Sequence, residues 1–173
     1  MYTTPDWHST LPAHALFPEW LGHEGSLTTR LVNTGHPFRL CLDRNITDLP
    51  SPDEAHALGI LADCPVIARE VHLTLDDVPV IAARTVVRAD SSVWLHVIDR
   101  GNRALGITLF SRDAPAPRSP LEFAALSPHH PLGRMAGLTQ PDEMRWARRS
   151  RFEQEGVVLL VQEVFLPPLL RFI

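Results

Sequence analysis

From residue 157 the chain runs Val-Val-Leu-Leu-Val-Gln-Glu-Val-Phe-Leu and stops at Pro167-Pro168. The stretch is β-branched and leucine-rich, with both alternating faces apolar, and it predicts a strand at a central position in a sheet. Glu163 breaks the pattern, because it shares a face with Val157, Leu159, Val161 and Phe165. An unpaired buried carboxylate is so costly that it must find a cation, share hydrogen bonds or take up a proton. Just upstream, Trp146, Arg148, Ser150 and Phe152 alternate with Arg145, Ala147, Arg149 and Arg151, and Glu155-Gly156 turns the chain back. The pattern predicts a C-terminal hairpin whose second arginine set forms a solvated, cationic rim that discourages edge pairing.

Alternation recurs in Pro65–Leu75 and Val78–Val87, joined at Asp76-Asp77, which predicts a second hairpin. Arg69 shares its face with Ile67, Val71, Leu73 and Leu75, and Arg84 lies with Val80, Ala82 and Val86. Two inward arginines and one inward glutamate imply a charged, enclosed pocket for a small anionic ligand, since a guanidinium grips a carboxylate through two parallel hydrogen bonds. The competing readings of Arg69 are a buried ion pair that serves structure alone and a side chain that snorkels at the sheet edge.

Helical spacing of Leu16, Phe17, Trp20 and Leu21 within Leu11–Gly25 predicts a short helix, and Ser26 or Thr28 caps a second one. Ser51-Pro52-Asp53-Glu54 has the serine, first-turn proline and acidic third position of another helix start. Phe38–Leu42 reads as a strand, Ser91–Asp99 as a short helix, Arg100-Gly101-Asn102 as a turn, Ser111–Pro120 as loop and Leu121–Leu126 as a short strand. This order predicts a single α+β domain over residues 1–173, with 1–13 as a flexible N-terminal extension. Its core is one antiparallel β-sheet of about six strands, with helices on one side covering a closed pocket.

Composition narrows the possibilities. The 173 residues, 45% hydrophobic and 21% charged, are ordinary for a globular domain. A net charge of -4 gives no electrostatic reason to expect nucleic acid or an anionic membrane as partner. No run approaches the roughly 18 apolar residues of a membrane span, and the first residues lack the basic start and apolar core of a secretory signal, so the expected location is cytoplasmic. Cys41 and Cys64 form no CxxC pattern and read as small buried hydrophobes. The adjacent pair His129-His130 has no third ligand nearby, so no metal is expected.

Several segments, taken in order, resemble the chorismate pyruvate-lyase family over about residues 16–168. They are Ser26-Leu27-Thr28, Arg69-Glu70-Val71, Ala83-Arg84-Thr85-Val86-Val87, Leu105-Gly106 with Leu109-Phe110, Trp146-Ala147-Arg148-Arg149-Ser150, and Glu163-Val164-Phe165-Leu166-Pro167. A monomer is expected, and the resemblance implies a cofactor-free enzyme. It would convert chorismate to 4-hydroxybenzoate and pyruvate at the entry to ubiquinone synthesis, in a site closed beneath helical flaps. It also implies that Arg69 binds the ring carboxylate, that Glu163 meets the ring hydroxyl, and that Leu27 and Leu105 contact the ligand through backbone N–H groups. Departures from the family pattern are Leu27 in place of a frequent methionine and Ala104 in place of a proline; Pro131-Leu132-Gly133 is a rival for Leu105-Gly106. Arg84 is expected to favour departure of the enolpyruvyl group electrostatically. The alternative is a non-catalytic domain of the same fold that binds small aromatic acids, as an effector domain or carrier. Too few residues precede Trp20 for a helix-turn-helix, which places that alternative second.

Overall fold

The computed structural model describes residues 4–99, 103–111, 114 and 116–173. The turn expected at 100–102 lies outside them. Six strands form one antiparallel sheet: β1 Phe38–Asp48, β2 Val66–Leu75, β3 Val78–Arg88, β4 Glu122–Leu126, β5 Arg145–Gln154 and β6 Val157–Phe165. They stand in the order β1-β2-β3-β6-β5-β4. The apolar strand β6 is therefore interior, as its two greasy faces require, and the arginine-rich β5 separates it from the edge.

Both hairpins close through two-residue turns of positive φ, 48° and 62° at Asp76 and Asp77, 51° and 74° at Glu155 and Gly156. This turn matches the right-handed twist of its strands, and aspartate tolerates the left-handed region better than most side chains. The two ladders then diverge. Between β5 and β6 the pairing runs unbroken from the turn and sets Arg148 opposite Glu163. Between β2 and β3, Thr74 faces Pro79 but Leu73 faces Ile81, so Val80 is skipped as a bulge. Proline has no N–H to give the ladder, and the Val80 carbonyl accepts instead from the backbone N–H of Leu166 at 2.9 Å. An unbroken ladder would set Arg69 opposite Arg84. The bulge puts Thr85 there and turns Arg84 to the other face.

Helices cover both faces, not one. On the front lie α1 Pro18–Leu21, α2 Leu27–Val32, α4 Ser92–Ile98 and α5 Leu105–Leu109; on the back lie α3 Pro52–Leu58 and α6 Pro131–Met135. Phe17, Trp20, Leu21 and Leu31 pack on Val71, Leu73, Ile81 and Phe165, while Trp94, Ile98 and Leu109 pack on Val87, Phe152 and Leu159. On the back, Leu58 meets Val86 and Leu160, and Leu132 meets Ala147 and Val164. The helix expected across Leu11–Gly25 is one turn, begun at Pro18, a residue that fits the first helical position and breaks an interior one. Strand β1 continues to Asp48 through an irregularity at Leu42/Arg44. It is an edge strand, so Cys41 is exposed and not the buried hydrophobe expected. The N-terminal stretch is anchored from residue 7. Trp7 donates its indole N–H to Asp53 at 2.9 Å, and His8 exchanges both backbone hydrogen bonds with Phe123.

Candidate active site

Alternation brings side chains of β2, β3 and β6 to one front-face pocket. Its floor includes Arg69, Val71 and Leu73 from β2, Ala83 and Thr85 from β3, and Val161 and Glu163 from β6. Leu27 and Thr28 of α2 and Leu105, Gly106 and Leu109 of α5 form its helical walls. Arg69, Glu163, Leu27 and Leu105 thus meet in one hollow, although they lie far apart in the chain. Leu132, at the rival motif, is buried on the back of the sheet with α6.

Leu27 and Leu105 occupy equivalent places, each the first residue of a short helix. Backbone N–H groups of a first helical turn have no carbonyl within the helix to bond. Ser26 supplies one partner, its hydroxyl accepting from Thr29 N–H at 3.2 Å. The two helix starts touch through Gly106, where a Cβ would come within 3.2 Å of the Ser26 hydroxyl and 3.3 Å of the Thr28 hydroxyl. Glycine is what lets α5 approach so closely.

Arg69 is 2% exposed. Its Nη2 donates to the carbonyl of Arg103 at 2.9 Å, which ties the sheet floor to the segment leading into α5. Burial pulls its guanidinium below the ordinary pKa, the expected effect of taking a cation out of water. Glu163 has a cation partner that the sequence pattern did not single out. Arg148, directly opposite on β5, donates its Nε to the Glu163 carboxylate at 2.7 Å. The Nη1 of Arg148 points at the carbonyls of Trp20, Leu21 and His23, with the shortest contact to His23, while its Nη2 is buried without a hydrogen-bond partner among the described residues. Arg148 therefore fixes Glu163 and anchors the chain after α1 at once. A signal existed: Arg148 and Glu163 are equidistant from the two-residue turn, so an unbroken hairpin must pair them.

Arg84 corrects the expectation of three charged residues in one pocket. It is fully buried on the back of the sheet, and all three of its nitrogens serve carboxylates. Nε donates to Glu54 at 2.8 Å, Nη1 to Glu70 at 2.5 Å, and Nη2 to Asp48 and Glu54 at 3.3 Å each. The amide of Gln162 donates to Glu54 at 2.7 Å. These contacts hold the Arg84 guanidinium above its ordinary pKa despite burial. An electrostatic role for Arg84 at a front-face ligand has no geometric basis, since the bulge at Val80 put it behind the sheet. Arg149 also departs from the expected solvated rim. It is 5% exposed, donates to Glu122 at 2.9 Å and lies over the Trp7 ring at 4.4 Å.

The profile of the chorismate lyase family matches residues 5–171. The chain belongs to the chorismate lyase family. A protein of Cupriavidus metallidurans named probable chorismate pyruvate-lyase is 40% identical, over 95% of this chain and 81% of its own length. One of Cupriavidus pinatubonensis with the same name is also 40% identical, over 95% and 89%. Another of Ralstonia nicotianae is 36% identical, over 99% and 93%. Among solved structures, PhnF from Mycobacterium smegmatis superposes with a TM-score of 0.60 at 18% identity, covering 84% of this chain and 65% of that one. Its separately solved effector domain gives 0.58 at 18% identity, covering 83% and 90%. At that identity the likeness concerns the fold, which this chorismate lyase family member shares with an effector domain. No helix among the described residues is long and apolar enough to cross a membrane.

Proposed function

We propose that the protein is a chorismate lyase, a carbon–oxygen lyase that eliminates pyruvate from chorismate to leave 4-hydroxybenzoate at the entry to ubiquinone synthesis in the cytoplasm. The observation that carries this reading is the meeting of Arg69 and Glu163 in one front-face pocket between two helix starts. In this reading Arg69 holds the ring carboxylate and Glu163, steadied by Arg148, accepts the ring hydroxyl. The backbone N–H groups of Leu27 and Leu105 complete the clasp.

The reaction breaks the C4–H and C3–O bonds of the ring and places the proton on the enolpyruvyl methylene carbon, which becomes the methyl group of pyruvate. Aromatisation supplies a large intrinsic driving force. The enzyme's task is then to orient the ring and exclude water, and neither nucleophile nor metal is required of it. A mostly apolar pocket with a few placed charges suits that task.

Because the fold is shared with an effector domain, the decisive test separates turnover from mere binding. Pure monomeric protein incubated with chorismate, without added metal or cofactor, should release pyruvate and 4-hydroxybenzoate in equal amounts, followed by a coupled pyruvate assay. Binding of 4-hydroxybenzoate with no pyruvate released would instead identify a binding domain.

A further inference from the structure

Chorismate carries two carboxylates, and the reading above, on which this inference rests, gives a partner to one. Its enolpyruvyl ether sits on the ring carbon adjacent to the one bearing the hydroxyl. With the ring carboxylate at Arg69 and the hydroxyl at Glu163, the leaving group projects from the side of the ring at its Glu163 end. Arg118, on the segment before β4, lies near that end, within electrostatic reach of Glu163 and Arg148. Its Nε donates to the Ser150 hydroxyl at 2.9 Å, and Ser150 shares the front face of β5 with Arg148, two residues away. Its Nη1 donates to the Glu24 carbonyl at 2.6 Å. Its guanidinium lies 4.8 Å from the centre of the Phe110 ring. Phe110 belongs both to the pocket that holds Arg69 and Glu163 and to a second hollow, which it lines with Glu24, Arg118, Ser119, Pro120 and Leu121. Among the described residues, Arg84, Arg148 and Arg149 each have a carboxylate at ion-pair distance, and Arg118 has none.

We propose that Arg118 and the hollow it lines form the subsite for the enolpyruvyl carboxylate of chorismate, and so for the α-keto acid that departs. Two neutral acceptors and an aromatic face hold the guanidinium in place without neutralising it, which keeps it available for a carboxylate. Burial, and then the like charge of Arg148, hold its pKa down to about 10. It is still a cation at neutral pH, and an arriving anion would relieve both penalties. Arg118 binds the group that leaves and takes no proton, so it orients the C3–O bond while the ring carboxylate stays on Arg69. The product 4-hydroxybenzoate has no second carboxylate and does not use this subsite.

The test compares substrate with product. Arg118→Gln should raise KM for chorismate about tenfold or more, as loss of a charged hydrogen bond does, while Kd for 4-hydroxybenzoate stays within about twofold of wild type. Arg118→Lys, which keeps the charge without the fork, should fall between. An unchanged KM in folded Arg118→Gln overturns the assignment, and so does an equal loss of 4-hydroxybenzoate affinity, which would mark Arg118 as a residue that only shapes the pocket. If Arg118→Gln does not fold, the Lys variant decides, with KM equal to wild type as the refuting result. Failure of the lyase reading itself shows earlier and separately, as wild-type protein that releases no pyruvate.

Discussion

The two faces of the sheet use the same chemistry to different ends. Neighbouring residues of the same strands face opposite ways: Arg69 and Glu70 on β2, Arg84 and Thr85 on β3, Arg148 and Arg149 on β5, Gln162 and Glu163 on β6. On the back, Arg84 uses every nitrogen on Glu54, Glu70 and Asp48, and α3 closes over the cluster with Glu54 completely buried. Glu54 also accepts the backbone N–H of Ser51 at 3.0 Å, so one carboxylate begins the helix and pins it to the sheet. On the front, Glu163 is 15% exposed, the Arg148 Nη2 lacks a hydrogen-bond partner among the described residues, and the charges border a hollow. Buried charges whose donors are all matched hold elements together, whereas charges that line a cavity can serve a ligand.

That contrast can be broken by substitution. The largest effect is expected from Arg84→Met. It leaves Glu54 buried without its cation and takes from Glu70 one of two, the other being Arg44, which should cost about 3–5 kcal/mol of stability while kcat/KM per folded molecule stays within about threefold. Urea unfolding read alongside active-protein titration checks this, and a selective loss of turnover would return Arg84 to the chemistry. Arg69→Ala should do the reverse, lowering kcat/KM by about 100-fold, the effect of removing a charged partner worth near 2.7 kcal/mol, with circular dichroism and the unfolding cooperativity kept. Full turnover in that variant would sink the front-face assignment.

Glu163→Gln should act more mildly, about tenfold or more on turnover, because the amide still fills the space and accepts from Arg148. The accompanying stability change should be small if the pair serves the site more than the fold. The smallest effect concerns His23, whose carbonyl anchors Arg148. Burial, then Arg30, Arg148 and Arg118, depress its pKa below the ordinary 6.5. The folded protein therefore binds that proton less readily than the unfolded chain, so stability is full above about pH 6.5 and declines as the pH falls below it. His23→Gln should flatten that slope in denaturation midpoints measured between about pH 7.5 and 5.

Much of this was open to a reader of the chain alone, because local pattern depends on nothing distant. Alternation in β2, β3, β5 and β6, the turns at Asp76-Asp77 and Glu155-Gly156, and the helix starts at Ser26 and Ser51 are properties of a few adjacent residues. So are the faces on which Arg69 and Glu163 lie relative to their own strands, and the antiparallel α+β class follows from the order of the elements. The pairing of Arg148 with Glu163 was implicit too, as simple counting from a tight turn.

The three-dimensional structure decided what local pattern cannot carry. One skipped residue, Val80, reversed the face of Arg84 and moved a would-be catalytic residue into a structural cluster. The packing of α3 and Trp7 on the back buried Arg149, which by alternation alone belonged to a solvated rim. Periodicity tells which side chains point the same way within a strand. Which face becomes core and which becomes pocket depends on register between strands and on what packs above them, and both are set by contacts between residues remote in the chain.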